Sequence, residues 1–158
     1  LSLPVSPGPR GLQVDVRSIQ PGIVYRDDKV TVTAFLVRHG SWPEAYGFRF
    51  DTPDLSIVHS GDTAPCESLI KNSVGCDVLI HESYCGKNFL GLDESTRRYY
   101  GQFHTSGAEV GEIARRVNPK ILILIHEMHF QSTSKDLLRE VRKTFKGQVI
   151  YGHDLDIF

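Results

Sequence analysis

At 158 residues with 40% hydrophobic content, the chain can bury one ordinary core, which points to one domain rather than two. Its formal net charge of -1, from 18 basic and 19 acidic residues, gives no broad field to attract nucleic acid and leaves only a local basic patch as a means of doing so. The three cysteines, Cys66, Cys76 and Cys85, form no zinc-finger spacing and their odd number argues against a disulfide framework, so a reducing, cytoplasmic setting is expected; no apolar run reaches the roughly 18 to 20 residues of a bilayer span, so no membrane partner is expected.

Residues 1–12 carry Pro4, Pro7, Gly8, Pro9 and Gly11 and read as an irregular lead-in segment or linker, with the domain proper over 13–158. Val14 and Val16 alternate with Asp15 and Arg17, which predicts a half-buried strand over 13–19. Strands over 23–25 and 30–37 follow, separated by the polar turn Asp27-Asp28-Lys29, and another over 45–51. Leu55, Ile57 and Val58 make a short apolar strand that stops at Ser60-Gly61-Asp62-Thr63, with Thr63 as an N-cap and Pro65 at an early position of a helix over 67–74. Beyond this turn hairpins give way to β-α-β alternation. A strand over 78–80, a helix over 105–117, a strand over 121–125, a helix over 134–145 and closing strands over 148–151 and 155–158 predict an α/β (α+β) domain with a mixed sheet flanked by helices.

Reactive side chains gather where these strands stop. His39, Asp62, the pair His81-Glu82, and His126 each end a predicted strand, and His104 precedes a helix capped by Thr105 or Ser106. Ligands collect outside the carboxyl ends of strands in open α/β sheets, and imidazole plus carboxylate is the donor set for zinc or a similar divalent ion. Taken alone, Asp62 also reads as a helix cap, and each histidine as a structural hydrogen-bonding group. His59, inside a strand, and His153, near the last turn, belong to that structural class, and His129 fits either.

The stretches Gly22-Ile-Val-Tyr-Arg-Asp-Asp-Lys29, Val37-Arg-His39-Gly, Tyr46-Gly-Phe-Arg-Phe50, Ser60-Gly-Asp62-Thr, Leu79-Ile-His-Glu82, His104-Thr-Ser106 and Leu124-Ile-His126 occur in one order. In that order they resemble the C-terminal half of a metallo-β-lactamase-fold hydrolase, an αββα sandwich, and are most similar to the ribonuclease Z branch. The resemblance implies a dinuclear zinc site, with manganese or iron as alternatives, in which His39 binds one ion, His126 the other and Asp62 bridges them. It implies His104 as proton donor, held by Glu82, acting on a phosphodiester in a small molecule or RNA. The family's first motif, His-x-His-x-Asp-His, is absent, because the sequence contains no His-x-His. The chain therefore reads as half of a longer domain, short of ligands and inactive by itself, with apolar surface that favours a homo-oligomer. Where tRNA-processing members carry an inserted arm, Asp51-Thr52-Pro53-Asp54 forms only a turn, which brings in another ester as an alternative substrate. The non-catalytic alternative is a superfamily domain retained as an interaction module.

Overall fold

The computed structural model describes residues 16–158. One seven-stranded mixed sheet runs in chain order: β1 (Gly22–Arg26), β2 (Thr31–Leu36), β3 (Tyr46–Asp51), β4 (Ser56–His59), β5 (Val78–Tyr84), β6 (Ile121–Met128) and β7 (Gln148–Tyr151). β1 to β4 form an antiparallel meander, and β4 to β7 are parallel. The wiring changes at the Asp62 turn, as the alternation in the sequence predicts. Helices α1 (Glu67–Ser73), α2 (Glu94–Phe103), α3 (Gly107–Val117) and α4 (Ser134–Thr144) fill the connections.

Strands joined in sequential order by right-handed crossovers place their helices on one side of the sheet. The register agrees with this arrangement. Val58, Leu79, Leu122 and Val149 pair across β4 to β7, so they share a face, and all four are buried in one core with Leu69, Val110, Ile113, Leu137 and Val141 of α1, α3 and α4. Burying each such side chain contributes about 1.5 to 3 kcal/mol. The next positions, Ile57, Val78 and Ile121, then Ile80 and Ile150, point to the opposite face and are only half-buried.

The helix ends follow from local chemistry. Ser106 and Glu109 form a reciprocal capping box at the start of α3, and Asn118, in the left-handed region at φ 55°, ends it ahead of Pro119. Thr133 and Asp136 do the same for α4. At α1, however, Cys66 occupies the cap position with no side-chain hydrogen bond, so Thr63 does not serve as the cap.

Five further points differ from the expectations. β5 runs on to Tyr84, so His81 and Glu82 lie within a strand rather than at its tip; the parallel pairing with β6 continues past Ile80 and keeps the strand extended. β6 likewise continues to Met128. Residues 155–158 form no strand, and neither do 16–19; residues 1–12 and the rest of the 13–19 segment lie outside the described residues. Finally, the sequence reading has no helix over 94–103, where α2 starts at Asp93, whose carboxylate accepts from the Thr96 N–H.

Candidate active site

The turn after β4 is built to present Asp62. Ser60 is buried, its N–H donates to Ile80 O at 2.9 Å, and its hydroxyl donates to Gly61 O and accepts from the Glu82 N–H. Gly61 has φ +61°, and a Cβ there would lie 2.4 Å from Tyr46 O, so only glycine fits. Ala64 N–H donates to Arg38 O at 2.7 Å, which ties this turn to the loop carrying His39. Asp62 therefore stands at a rigid corner with its side chain 46% exposed.

His126 arrives by a different device. The β5–β6 ladder pairs Glu82 with Ile125 and then Ser83 with Glu127, leaving His126 out of register at a bulge with φ 46°. A bulge re-aims a side chain, and a left-handed backbone at a non-glycine residue costs about 1 to 3 kcal/mol, a strain that clusters at functional sites. The result is that His126 Nε2 lies 3.4 Å from Asp62 Oδ2. Nothing in the residue pattern of Ile121 to Glu127 signals the bulge.

His104 ends α2, is 6% exposed, and has its Nδ1 3.2 Å from Glu82 Oε1. The same carboxylate oxygen accepts the backbone N–H groups of Thr63 and Thr105, at 3.1 and 3.2 Å. Burial pushes the Glu82 carboxyl up, and the His104 and Thr63 hydrogen bonds pull it back. Its second oxygen, Oε2, is buried with no hydrogen-bond partner. His39 sits on the other side of His104, ring centroids 5.4 Å apart, with its Nδ1 2.8 Å from Phe103 O. An imidazole that donates Nδ1–H to a carbonyl keeps its lone pair on Nε2, the form in which histidine binds a metal.

Ligating atoms of Asp62, His104 and His126 lie within 4.8 Å of one another. Asp62 and His126, a carboxylate and an imidazole 3.4 Å apart and each about half exposed, are open to a divalent cation, with the buried His104 ring beside them. His39, Asp62, His104 and His126 thus meet at the carboxyl end of the sheet with Glu82 behind them. The other histidines make local contacts: His59 Nδ1 accepts from Gly61 N–H, His153 pairs with Asp156, and His129 Nε2 meets the Tyr151 hydroxyl at 2.9 Å. His81 is fully buried, and burial lowers its pKa to about 4.

The aromatic residues of α2 are not among those expected at the site. Tyr99, Tyr100 and Phe103 surround the two histidines: His39 meets Phe103 edge-on at 5.0 Å, and the rings of Tyr100 and Tyr99 lie 5.5 and 6.3 Å from that of His104. Gly40, at φ +55°, donates its N–H to Gln102 O and has no room for a Cβ against the Phe103 ring, so the His39 turn and the end of α2 fit only through a glycine. An aromatic pair followed by Phe103-His104 was the available signal.

Residues 3–127 match the family described as beta-lactamase superfamily domain. Ribonuclease Z of Mycobacterium sp. strain KMS is 30% identical over 145 residues, covering 90% of this chain and 50% of that protein. Ribonuclease Z of Sulfolobus acidocaldarius is 37% identical over 92 residues, 58% of this chain and 29% of that protein. The chain thus spans about half the length of the first of these relatives and less of the second. Among solved structures, the metallo-beta-lactamase fold protein YhfI of Bacillus subtilis superposes with a TM-score of 0.68 at 23% identity, over 85% of this chain and 51% of that one. Human tRNase Z, short form, superposes with a TM-score of 0.59 at 21% identity, over 86% of this chain and 44% of that one.

Proposed function

The chain belongs to the metallo-β-lactamase superfamily, and from that premise we propose that it supplies the C-terminal half of a dinuclear zinc hydrolase that cleaves phosphodiesters. The observation that carries this reading is the meeting of Asp62, His104 and His126 within 4.8 Å, with Glu82 seated behind His104. His39, Asp62 and His126 would hold the zinc. Zinc bound there supplies Lewis acidity toward a phosphoryl oxygen and a way to activate water near neutral pH. With three of its own side chains spread over two ions, the chain alone falls short of the three protein ligands usual at each catalytic zinc, so the remaining donors come from the other half of the domain.

His104 acts as general acid toward the leaving oxygen. Glu82 supports that role in two ways: it accepts from Nδ1, which fixes the ring, and its carboxylate stabilises the imidazolium form that carries the proton. The backbone N–H groups of Thr63 and Thr105 keep Glu82 in place, so the acid is oriented by buried main chain rather than by a mobile loop.

The similarity to ribonuclease Z proteins favours RNA as the diester. A smaller diester is favoured by a separate observation: β3 and β4 are joined by a tight turn in which Thr52 N–H donates to Leu55 O, with no arm between them to grip a folded tRNA. In the full protein, hydrolysis of bis(p-nitrophenyl) phosphate and of short RNA is expected to disappear on chelation and return with zinc, and to be lost in Asp62→Asn. Turnover that survives both chelation and Asp62→Asn would overturn the reading.

A further inference from the structure

None of the residues of α2 is buried, yet the helix carries Tyr99, Tyr100 and Phe103 beside the two site histidines. Tyr99 stacks one face on Phe103, centroids 4.5 Å apart at 20°, and meets Tyr100 edge-on at 5.4 Å. Half of its surface remains exposed. A ring fixed on one face and open to solvent elsewhere is prepared to take a third ring. Around it runs a groove of about 500 Å³ lined by Glu94, Ser95, Arg98, Tyr99 and Gln102. The groove therefore offers one aromatic face and the Gln102 amide, beside an Arg98–Glu94 ion pair at 2.9 Å and a Ser95 hydroxyl that donates to Asp93. That suits the base of a nucleotide, with a π-face to stack and an amide for its edge. A second exposed ring, that of Trp42, lies on the His39 turn, which the Trp42 backbone N–H closes by donating to His39 O.

We propose that Tyr99, backed by Phe103, is a stacking platform for the base of the nucleotide next to the scissile phosphodiester, so that the substrate is a nucleic acid strand or another nucleoside-bearing diester rather than an alkyl diester. The inference rests on the phosphodiesterase reading in placing the reacting phosphate at His104, one ring contact of 6.3 Å from Tyr99. Stacking is indifferent to base identity, so the platform selects for a base without selecting which one.

Calorimetric titration of the full protein with adenosine 5′-monophosphate and with ribose 5-phosphate isolates the base, because the two ligands share sugar and phosphate. The nucleotide is expected to bind roughly 5- to 100-fold more tightly. Tyr99→Ala should abolish that preference, and Tyr99→Phe, which keeps the ring, should preserve it. Equal affinities in the native protein, or a preference that survives in Tyr99→Ala, would overturn the proposal. The comparison needs no turnover, so an absence of diester cleavage would remove the reading of the previous subsection without touching this result.

Discussion

Glu82 shows how much of the site depends on a single carboxylate. One of its oxygens receives His104 Nδ1 and two backbone N–H groups, and the other has no partner. Glu82→Gln can keep its carbonyl oxygen on the three donors while its amide occupies the unpartnered side, so the geometry largely survives and only the negative charge is lost. In the full protein, His104→Ala should lower turnover roughly 10²- to 10⁴-fold, and Glu82→Gln by a smaller factor, both measured on a diester with a poor leaving group. An unchanged rate in His104→Ala would remove the acid role. His81 makes a prediction of opposite character, because burial holds its pKa near 4 when folded, against about 6.5 when unfolded. Above pH 6.5 both states carry a neutral ring and its contribution is intact. As the pH falls from 6.5 to 4, the unfolded chain takes up a proton that the folded chain refuses, and stability drops by up to roughly 3 kcal/mol. Urea melts at pH 7.5 and 5 should show this loss in the native chain and a shallower one in His81→Gln; equal slopes would contradict it. The residue types at 39, 62, 82, 104 and 126 were legible in the sequence. Which neighbours fix them was not, since the Phe103 carbonyl and the Thr63 and Thr105 amides are main-chain groups that every residue carries.

At the scale of elements, the site rests on three local departures from regular structure. They are the left-handed Gly61, the bulge at His126 and the capped start of α3. Gly61→Ala would drive a Cβ to 2.4 Å from the Tyr46 carbonyl and force the turn carrying Asp62 to shift, so it should destabilise the fold by more than about 1 kcal/mol and weaken metal binding together. Differential scanning calorimetry and metal titration on one sample check both; a normal melt with normal metal affinity would contradict the account. Ser106→Ala removes half of the capping box two residues after His104 and should cost about 1 kcal/mol in chemical denaturation with little effect on metal content. The apolar periodicities of α3, α4, β5 and β6 made those elements visible in advance. α2 escaped because a helix with no buried residue has no apolar stripe to read, and because its aromatic residues face the site rather than the core. The true ends of β5 and β6 escaped because parallel pairing with a neighbour, not the residues' own propensities, extends them.

Among the described residues, the sheet carries α1, α3 and α4 on one face and, on the other, a row in which Ile57, Val78, Ile80, Ile121 and Ile150 are half-buried and Ile123 is buried. Such a face promotes association, and sedimentation velocity on the chain alone is expected to show self-association that rises with concentration; a stable monomer at high concentration would contradict it. The fold class was legible because the switch from hairpins to β-α-β alternation is written in turn residues and apolar runs. The convergence of His39, Asp62, His104 and His126 is a property of strand order, which brings together side chains from positions 39 to 126 of the sequence. The central claim is that Asp62 and His126 hold metal while His104 moves a proton. Zinc content per chain, measured by inductively coupled plasma mass spectrometry on the full protein, separates these roles. Depletion is expected in Asp62→Asn and His126→Ala, and a native zinc content in His104→Ala. Loss of zinc in His104→Ala, or its full retention in Asp62→Asn, would contradict it.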